Sequence, residues 1–513
     1  MSYWPAAFWI EGISLGLHWI DYAVLLIYLA GITVFGISFR RRGAGLREYF
    51  LGGRQIPWWA IALSIVAAET SVLTIISTPG LGFAGNLTFL QLVLGYLTAR
   101  VVVSTVLLQH YFRGELFTAY ELMRRRFGAR LQRVSAAIFL VGRALAEGVR
   151  LFAVAIVVSV VLAGLPALGV HVHISVGVVI AGLAVLTLIY TFEGGMRAVI
   201  WTDFIQICIY MAGAVLSLWL ILRAIPGGWT AVVASAAAHG DKFRVFDFHF
   251  SWYQPYTFWS GVIGGTFLTA STHGTDQLMV QRLLSARNLR DSRKALFGSW
   301  LIVFAQFAIF LVIGVMLFVY YRRHALPPAG AFGRYDRIYP EFIARHFPAG
   351  VAGLVMAAII AATMSNLSAA LNSLSSSTVF DFYRQYMARG RSEAHYMRVS
   401  RLATLFWAVV LGVIAYLSRF TNSVLVLGLS IVSIPFSGLL GIFLLGTLTR
   451  KASETGAIIG MIAGVSIAFV LYRMRIPFTW FIVAGTVTTF VIGWLASWVW
   501  PQPRRENSEA AAA

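Results

Sequence analysis

The stretch Ile61-Ala-Leu-Ser-Ile-Val-Ala-Ala-Glu-Thr-Ser-Val-Leu-Thr-Ile-Ile76 is a largely apolar run with an acid and two hydroxyl residues at its centre. Its apolar flanks predict a membrane-spanning helix, because about 20 mostly apolar residues cross the hydrocarbon core at about 1.5 Å per residue. A carboxylate at membrane depth is costly unless it has a partner, and it marks a functional position by default. The segment Ala68-Glu69-Thr70-Ser71 therefore predicts a break within a transmembrane helix.

The whole chain has the composition of a polytopic membrane protein. Of its 513 residues, 59% are hydrophobic and 12% are charged, whereas a soluble domain is about 45–50% apolar and about 25% charged. We predict a single all-α membrane domain over 1–500, followed by a disordered cytoplasmic tail over 501–513. The domain contains about thirteen transmembrane helices. The predicted spans are 19–39, 57–79, 86–110, 134–164, 172–191, 198–224, 256–284, 295–321, 349–379, 397–418, 423–448, 454–472 and 477–499.

The formal net charge of +20 lies mainly in the loops between the spans, where it sets topology. With the N-terminus outside, 26 of the 40 Lys and Arg residues fall on the inner side, 11 on the outer side and 3 within spans. This imbalance favours an outer N-terminus and a cytoplasmic C-terminus. We predict a multi-pass protein of the bacterial inner membrane whose partners are the lipid bilayer and a small-molecule solute. Neither nucleic acid nor an obligatory protein partner is expected.

Two blocks of five spans, at about 57–224 and 256–448, fit the inverted halves from which many transporters are built. The first span of each block carries polar residues at its centre. In the second block, glycines from Gly261 to Gly274 bracket Thr269-Ala-Ser-Thr-His273, which predicts a second interrupted helix. The remaining spans flank the repeat, at 19–39, 454–472 and 477–499.

Glu69 lies at the predicted break and faces a polar segment of the second interrupted span. It could bind an ammonium group or solute hydroxyls, carry a proton, or add charge near a cation. The alternative is a structural carboxylate that caps backbone N–H groups or pairs with an arginine. His273 could equally be a core histidine, and Gln91 could bridge helices. The predicted substrate-binding residues are Glu69, Ser71, Gln91, Arg150, Thr269, Thr272 and His273.

Arg143, Glu147 and Arg150 share one face of the 134–164 span, since they are spaced at i, i+4 and i+7. One interpretation is an internal ladder of ion pairs. The other makes Arg150 a clamp for a solute carboxylate, because a guanidinium group matches planar anions.

Asp203 also lies in an apolar stretch, where an ionised carboxylate needs a partner such as a cation. It could otherwise be a carboxylate at a helix end. The segment Ser365-Asn-Leu-Ser368 places side-chain oxygens at i, i+1 and i+3 of an apolar helix. Hard cations such as sodium prefer oxygen ligands. Serines in such helices also hydrogen-bond the preceding turn or permit close packing.

Four segments resemble the sodium:solute symporter family, whose members include sodium-coupled proline, pantothenate and sugar carriers. They occur in the family's order and spacing between about residues 20 and 450. The segments are Tyr49-Phe-Leu-Gly-Gly-Arg-Gln-Ile-Pro-Trp-Trp59 with Leu63-Ser-Ile-Val-Ala-Ala68, Tyr190-Thr-Phe-Glu-Gly-Gly-Met-Arg-Ala-Val-Ile-Trp-Thr-Asp-Phe-Ile-Gln206, Gly274-Thr-Asp-Gln-Leu-Met-Val-Gln-Arg282 and Ala361-Ala-Thr-Met-Ser-Asn-Leu-Ser-Ala-Ala-Leu-Asn-Ser373.

The resemblance implies a LeuT-like inverted five-helix repeat with a discontinuous first helix in each half. It also implies a sodium site of backbone carbonyls from the first broken helix and side chains from the 349–379 span. Asn366 departs from the family, which usually has a serine there, but its amide oxygen can still bind a cation. By motif, this site falls on Ala67, Thr70, Ala362, Ser365 and Asn366. A second site, for a further cation or for ion release, would use Asp203, Ser365 and Ser368, with Ala369 where relatives usually have another serine.

We therefore predict sodium-coupled symport of a small polar, zwitterionic or anionic solute by alternating access. A proton-coupled symporter, or a transporter-like sensor or channel, is the alternative. The sequence has no glycine-rich phosphate loop, no paired histidines at metal spacing and no nucleophile motif, so we predict that it is not an enzyme. Sodium is the expected coupling ion, and no organic cofactor is expected.

Overall fold

The computed structural model describes most of the membrane domain. The predicted disordered tail, from residue 502 onward, lies outside the described residues, as do the N-terminal residues before 17 and part of the first family segment. The described residues are 17–38, 55–112, 119–163, 165, 175–191, 195–324, 335–418 and 424–501.

The described residues are almost entirely helical, and they contain one isolated parallel bridge, between Ile56 and Ala286. The helices are α1 Trp19–Ser38, α2 Trp58–Glu69, α3 Val72–Ala84, α4 Leu90–Phe112, α5 Ala119–Arg126, α6 Ala129–Leu162, α7 Val176–Thr191, α8 Gly195–Ala224, α9 Gly228–Ala238, α10 Phe258–Thr275, α11 Gln277–Leu284, α12 Leu289–Tyr321, α13 Ile338–His346, α14 Val351–Met387, α15 Glu393–Ser418, α16 Val424–Leu448, α17 Glu454–Arg473 and α18 Phe478–Val499.

The all-α fold class is confirmed, and each of the thirteen predicted spans coincides with a helix or a helix pair. Among the described residues, nine helices are long and apolar enough to cross a membrane, and the bent pair α2–α3 makes up to ten. The helices α1 and α7 are shorter apolar helices over their described parts. The number of thirteen spans therefore stays a prediction.

The first predicted break is present, because α2 ends at Glu69, α3 begins at Val72 and the two helices are bent by 61°. The second break does not lie in the glycine-bracketed segment. Helix α10 continues through it and ends at Thr275, and Asp276 has extended backbone angles (φ −79°, ψ 121°). The Asp276 carboxylate then accepts a hydrogen bond from the Leu278 N–H (2.9 Å) and begins α11.

The glycines of α10 serve close packing against α4 instead. A Cβ at Gly261 would lie 3.1 Å from the Leu92 nitrogen, and a Cβ at Gly265 would collide with the Leu92 carbonyl oxygen. On the facing helix, a Cβ at Gly95 would collide with the Val262 carbonyl oxygen. Small residues allow such close approach of helices in membranes. The prediction of a break at these glycines is wrong because their missing side chains serve helix packing.

Packing is reciprocal between the two predicted five-span blocks. The broken pair α2–α3 packs on α12, and α10 packs on α4, so each first helix contacts the second helix of the other block. Likewise α6 packs on α16, and α8 packs on α14. The flanking helices α17 and α18 pack on each other and on α16. In the most apolar part of α14, 94% of the residues are buried, which makes it the central helix of the described bundle.

Asp336 lies in the turn before α13 and is buried against the broken helix. The adjacent Tyr335 carbonyl oxygen would lie 2.9 Å from a Cβ at Gly80 of α3. Burial raises the pKa of Asp336 from its ordinary value of 3.8 to about 6. The nearby Ser77 hydroxyl and Val424 backbone N–H lower the pKa and offset only part of that rise.

The contribution of Asp336 to stability is expected to fall as the pH rises through about 6. Because its pKa is higher in the folded state, its stabilisation is complete below the unfolded-state pKa and is lost as the pH rises through the folded-state pKa. A difference of about two in pKa corresponds to about 3 kcal/mol. Asp336→Asn, which imitates the neutral carboxyl group, should have a melting temperature similar to wild type near pH 4 and a higher one near pH 8. Parallel melting profiles for both proteins across this range would contradict this account.

Candidate functional site

The break between α2 and α3 frees two backbone carbonyl groups. The Ser71 N–H donates to the Glu69 carbonyl (3.0 Å), and the Thr74 N–H donates to the Ser71 carbonyl (2.9 Å). In an uninterrupted helix these N–H groups would donate to Ala67 and Thr70, four residues earlier. The Ala67 and Thr70 carbonyls are therefore released from the helical ladder, and both residues are buried. They are the two carbonyls that the family resemblance implies for the sodium site.

Helix α14 presents Asn366 directly to one of these carbonyls. Its side-chain Nδ2 donates to the Ala67 carbonyl oxygen at 3.0 Å. The residue is buried, and its Oδ1 has no hydrogen-bond partner among the described residues. Ala362 and Ser365 are buried on the same helix. The structure thus joins Ala67 with Asn366, while the Thr70 hydroxyl donates to Gln306 Oε1 of α12 at 2.9 Å.

Asp203 of α8 is the centre of a second buried cluster. Its Oδ1 accepts a hydrogen bond from Ser365 (2.7 Å), and its Oδ2 accepts one from Ser64 of α2 (2.9 Å). Arg282 of α11 donates from Nε to Ser64 Oγ (3.0 Å) and from Nη2 to Asp203 Oδ2 (3.4 Å). One carboxylate therefore links four helices.

The cationic partner of Asp203 in the structure is a guanidinium group. Asp203 and Ser365, predicted from the sequence to share one site, are in contact in the structure, whereas no role for Arg282 was predicted. Ser368 is buried on α14, one turn beyond Ser365. Because Arg282 and Asp203 are both buried, the carboxylate already has the positive charge that its depth requires.

Glu69 is held by an arginine and a histidine. Arg100 of α4 donates from Nη2 to both carboxylate oxygens (2.8 and 3.0 Å), and its Nε donates to the Leu296 carbonyl of α12 (2.9 Å). His273 Nε2 of α10 lies 2.6 Å from Glu69 Oε1. Of the alternatives for Glu69, the structure shows pairing with an arginine. The Glu69 side chain keeps 11% exposure, whereas that of Arg100 has none.

The predicted polar residues of α10 lie beside this triad. His273 Nδ1 is 3.2 Å from both the Thr269 carbonyl and the Thr272 hydroxyl. Ser71 is buried at the start of α3. Thr269, Thr272 and His273 therefore form one continuous polar strip that ends on Glu69.

Gln91 is bound to backbone groups outside this strip. Its amide donates to the Tyr256 carbonyl (2.8 Å) and accepts from the Asp247 N–H (3.0 Å), and the side chain is fully buried. Both of its polar atoms connect α4 to the segment before α10. This arrangement matches the bridging alternative for Gln91.

The face of Arg143, Glu147 and Arg150 forms the predicted ladder of ion pairs. Glu147 Oε1 lies 2.7 Å from a nitrogen of each arginine. Arg143 also binds Asp276, at the second break, at 2.8 Å. The Arg150 side chain remains 20% exposed, against 7% for Arg143.

Three charged residues of these clusters were missed by sequence reasoning as site residues. Arg100 could have been found, because an arginine within an apolar span needs a partner. Arg282 and Asp276 both lie in the segment Gly274–Arg282, which carries the family resemblance. Their partners are distant in sequence, so no local spacing indicated them.

The fold and these clusters define a helical membrane transporter with an interrupted first helix and buried charge pairs around the break. The model for the sodium:solute symporter family matches residues 49–464. The chain belongs to this family. Its function is sodium-coupled solute symport, as predicted from the sequence, and the prediction that it is not an enzyme is confirmed by transporter relatives.

Curated relatives include several sodium-coupled carriers. The sodium/sialic acid symporter SiaT of Proteus mirabilis is 30% identical over 487 residues, which cover 92% of this chain and 94% of the relative. The sodium/glucose cotransporter of Vibrio parahaemolyticus is 27% identical over 499 residues, covering 91% and 87%. The human sodium-coupled monocarboxylate transporter 1 is 28% identical over 467 residues, covering 89% and 74%.

A solved structure has the same fold. It is the substrate-bound, outward-open state of a sodium-coupled sialic acid symporter, with a TM-score of 0.80 and 27% identity. The match covers 94% of this chain and 98% of that chain. None of these comparisons supports the proton-coupled or sensor alternative.

Proposed function

We propose that this chain carries a small anionic or zwitterionic solute inward with sodium, by alternating access across the bacterial inner membrane. The observation that carries the proposal is the freed Ala67 carbonyl at the α2–α3 break, which faces Asn366 of α14 at 3.0 Å. We keep the orientation from the sequence, with the N-terminus outside and the C-terminus cytoplasmic. The domain is an inverted repeat of about 57–224 and 256–448, and the reciprocal helix packing supports it.

The sodium ligands are oxygen atoms from both sides of the break. The Ala67 and Thr70 carbonyls come from the broken helix, and Ala362, Ser365 and Asn366 come from α14. Carbonyl and hydroxyl oxygens suit a hard cation, and the helix break leaves these carbonyls without intrahelical donors. Binding here ties α2 to α14, so the ion stabilises one arrangement of these helices.

The number of sodium ions that we propose per transport cycle depends on how the charge of Asp203 is balanced. Its partner Arg282 already supplies a positive charge, so we assign one sodium ion to the transport cycle. Asp203 accepts the Ser365 hydroxyl, which is itself a sodium ligand in this proposal. Asp203 and Ser368 therefore serve ion release toward the α11 side of the bundle.

The solute site is the strip around Glu69. With a neutral imidazole on His273, the triad of Glu69, Arg100 and His273 has no net charge, and with a protonated one it carries +1. The net charge of this triad gives an ammonium group no attraction in either state, whereas the protonated state attracts a carboxylate, whether on an anion or on a zwitterion. The sialic acid and monocarboxylate relatives are named for acids, which agrees with this charge. Ser71, Thr269 and Thr272 supply hydroxyl groups, and the partly exposed Arg150 is a candidate for a second anion contact.

The sodium site is tested by Ser365→Ala. A ligand that binds only the folded state at 100 times its Kd adds about 2.7 kcal/mol of stability. Sodium should therefore raise the melting temperature of wild type above its value in potassium or choline, and Ser365→Ala should lose most of that difference. Ser373→Ala is the matched control, because the Ser373 hydroxyl bonds only its own helix at Ala369 (2.9 Å). An undiminished sodium response in Ser365→Ala would place the ion elsewhere.

The coupling is tested in proteoliposomes with labelled sialic acid and with a labelled monocarboxylate. An inward sodium gradient without a pH gradient should drive uptake of at least one of them. Glu69→Gln should change the solute affinity more than the sodium affinity. Uptake that a pH gradient alone drives, and that Glu69→Gln abolishes, would contradict sodium coupling through this site.

A further inference from the structure

Of the two polar atoms of the Asn366 side chain, one is hydrogen-bonded and the other is not. Nδ2 donates to the Ala67 carbonyl oxygen at 3.0 Å, so this carbonyl has a partner within the protein. Oδ1 is buried and has no hydrogen-bond partner among the described residues. A buried acceptor without a donor costs free energy that a native structure normally avoids. The amide is therefore oriented to satisfy the Ala67 carbonyl at the expense of its own oxygen.

We propose that Asn366 competes with sodium for the Ala67 carbonyl oxygen. Its side-chain amide must rotate by a half-turn before the ion can bind. This inference rests on the sodium site proposed above and concerns how that site is controlled. In the orientation of the structure, a donor N–H lies against a sodium ligand. After a half-turn about the Cβ–Cγ bond, Oδ1 takes the place of Nδ2, and the amide and the Ala67 carbonyl both offer oxygen to the ion.

The two orientations have similar shape but opposite electrostatics. The terminal torsion of asparagine is broad and nearly two-fold, so the half-turn itself costs little. With the amide oxygen turned inward, two carbonyl oxygens face each other and repel unless a cation lies between them. Without sodium, the inward N–H orientation is therefore favoured, and with sodium the inward oxygen orientation is favoured. The Asn366 amide therefore has two orientations, and sodium binding reverses which of them is more stable.

A hydroxyl residue at this position would not compete in the same way. A serine hydroxyl keeps its lone pairs available while it donates, and its hydrogen can rotate away without moving a heavy atom. Asparagine must instead give up the hydrogen bond to Ala67 before it offers oxygen. Asn366→Ser is therefore expected to bind sodium more tightly, by about fivefold, which is the factor that a typical net hydrogen bond represents.

The same hydrogen bond links α2 to α14 when no ion is bound. Both residues are buried, and the two helices come from the two different halves of the predicted repeat. In wild type without sodium, the Asn366–Ala67 hydrogen bond already provides part of the connection between α2 and α14 that a bound sodium ion would provide. The stabilisation by saturating sodium should therefore be smaller in wild type than in Asn366→Ser.

The experiment is a sodium titration of melting temperature for wild type, Asn366→Ser, Asn366→Thr and Ser365→Ala, each with matched potassium. We expect half-saturation at about fivefold lower sodium in Asn366→Ser, with a larger total shift. Asn366→Thr supplies a second hydroxyl variant if Asn366→Ser folds poorly. Tyr111→Phe is the control: its hydroxyl donates to the Gly274 carbonyl (2.6 Å) near the other break, so it loses a buried hydrogen bond without touching the ion site.

The outcomes separate the two proposals. If Ser365→Ala loses the sodium response but both hydroxyl variants bind sodium as weakly as wild type or more weakly, the sodium site stands and the competitor role of Asn366 is wrong. If Tyr111→Phe gains the same affinity as Asn366→Ser, the effect is general loosening and the competitor role is again wrong. If no protein in the set responds to sodium, the proposed sodium site itself fails.

Discussion

Asp203→Asn is expected to lower the free energy of unfolding by about 3–5 kcal/mol, because it removes the carboxylate that is hydrogen-bonded to the buried Arg282 guanidinium. Arg282 has no exposed surface, and its remaining partners are the neutral Ser64 hydroxyl and the Leu278 carbonyl. Neutral acceptors only partly replace a carboxylate in a low-dielectric site. Denaturant titration in detergent micelles measures the loss.

The double variant Asp203→Asn/Arg282→Met distinguishes a pair effect from general damage. Removing both charges should cost less than the sum of the two single losses, since neither charge is then stranded. Arg282→Met alone leaves Asp203 with the Ser64 and Ser365 hydroxyls, so a cation can replace the guanidinium. Its melting temperature should therefore depend more on sodium than that of wild type. Additive losses, with no gain in sodium dependence, would show that Arg282 is not the charge partner of Asp203.

Arg100→Met is expected to cost a similar amount, about 3–5 kcal/mol, and to abolish high-affinity solute binding. Arg100 is fully buried and holds both oxygens of Glu69 while it also bonds the Leu296 carbonyl of α12. Without it, Glu69 keeps only His273, and the helix break loses its anchor to α4. Stability is measured as above, and solute binding by the solute-induced change in melting temperature.

The chain offers an exposed ion pair as a control for Arg100→Met. Arg125 and Glu121 of α5 lie 2.9 Å apart, but their side chains are 50% and 29% exposed. Arg125→Met should therefore cost less than about 1 kcal/mol, because water and salt screen such a pair. Glu69→Gln/Arg100→Met should recover part of the loss in Arg100→Met. If the exposed and buried arginine variants lose equal stability, burial is not what gives the Arg100 pair its strength.

The sequence alone determined the features that local composition controls. Apolar runs located the helices, because a helix that crosses the membrane needs about 20 mostly apolar residues. The run Ile61–Ile76 located the first break, since a carboxylate and hydroxyl groups at membrane depth mark a functional position. The i, i+4 and i+7 spacing of Arg143, Glu147 and Arg150 placed the three on one helix face and gave the ladder of ion pairs as one of two interpretations, because these contacts lie within one helix.

Only the tertiary structure decided what the charged and polar side chains touch. The pairs Asp203–Arg282 and Glu69–Arg100 join residues 79 and 31 positions apart, on different helices. The glycines of α10 suggested a break when considered alone, but they are required by the backbone of α4 that packs against them. The Asn366 amide likewise faces Ala67 across 299 positions of sequence. Such contacts depend on how the helices pack. The spacing of residues within one helix does not indicate which residue of another helix they will contact.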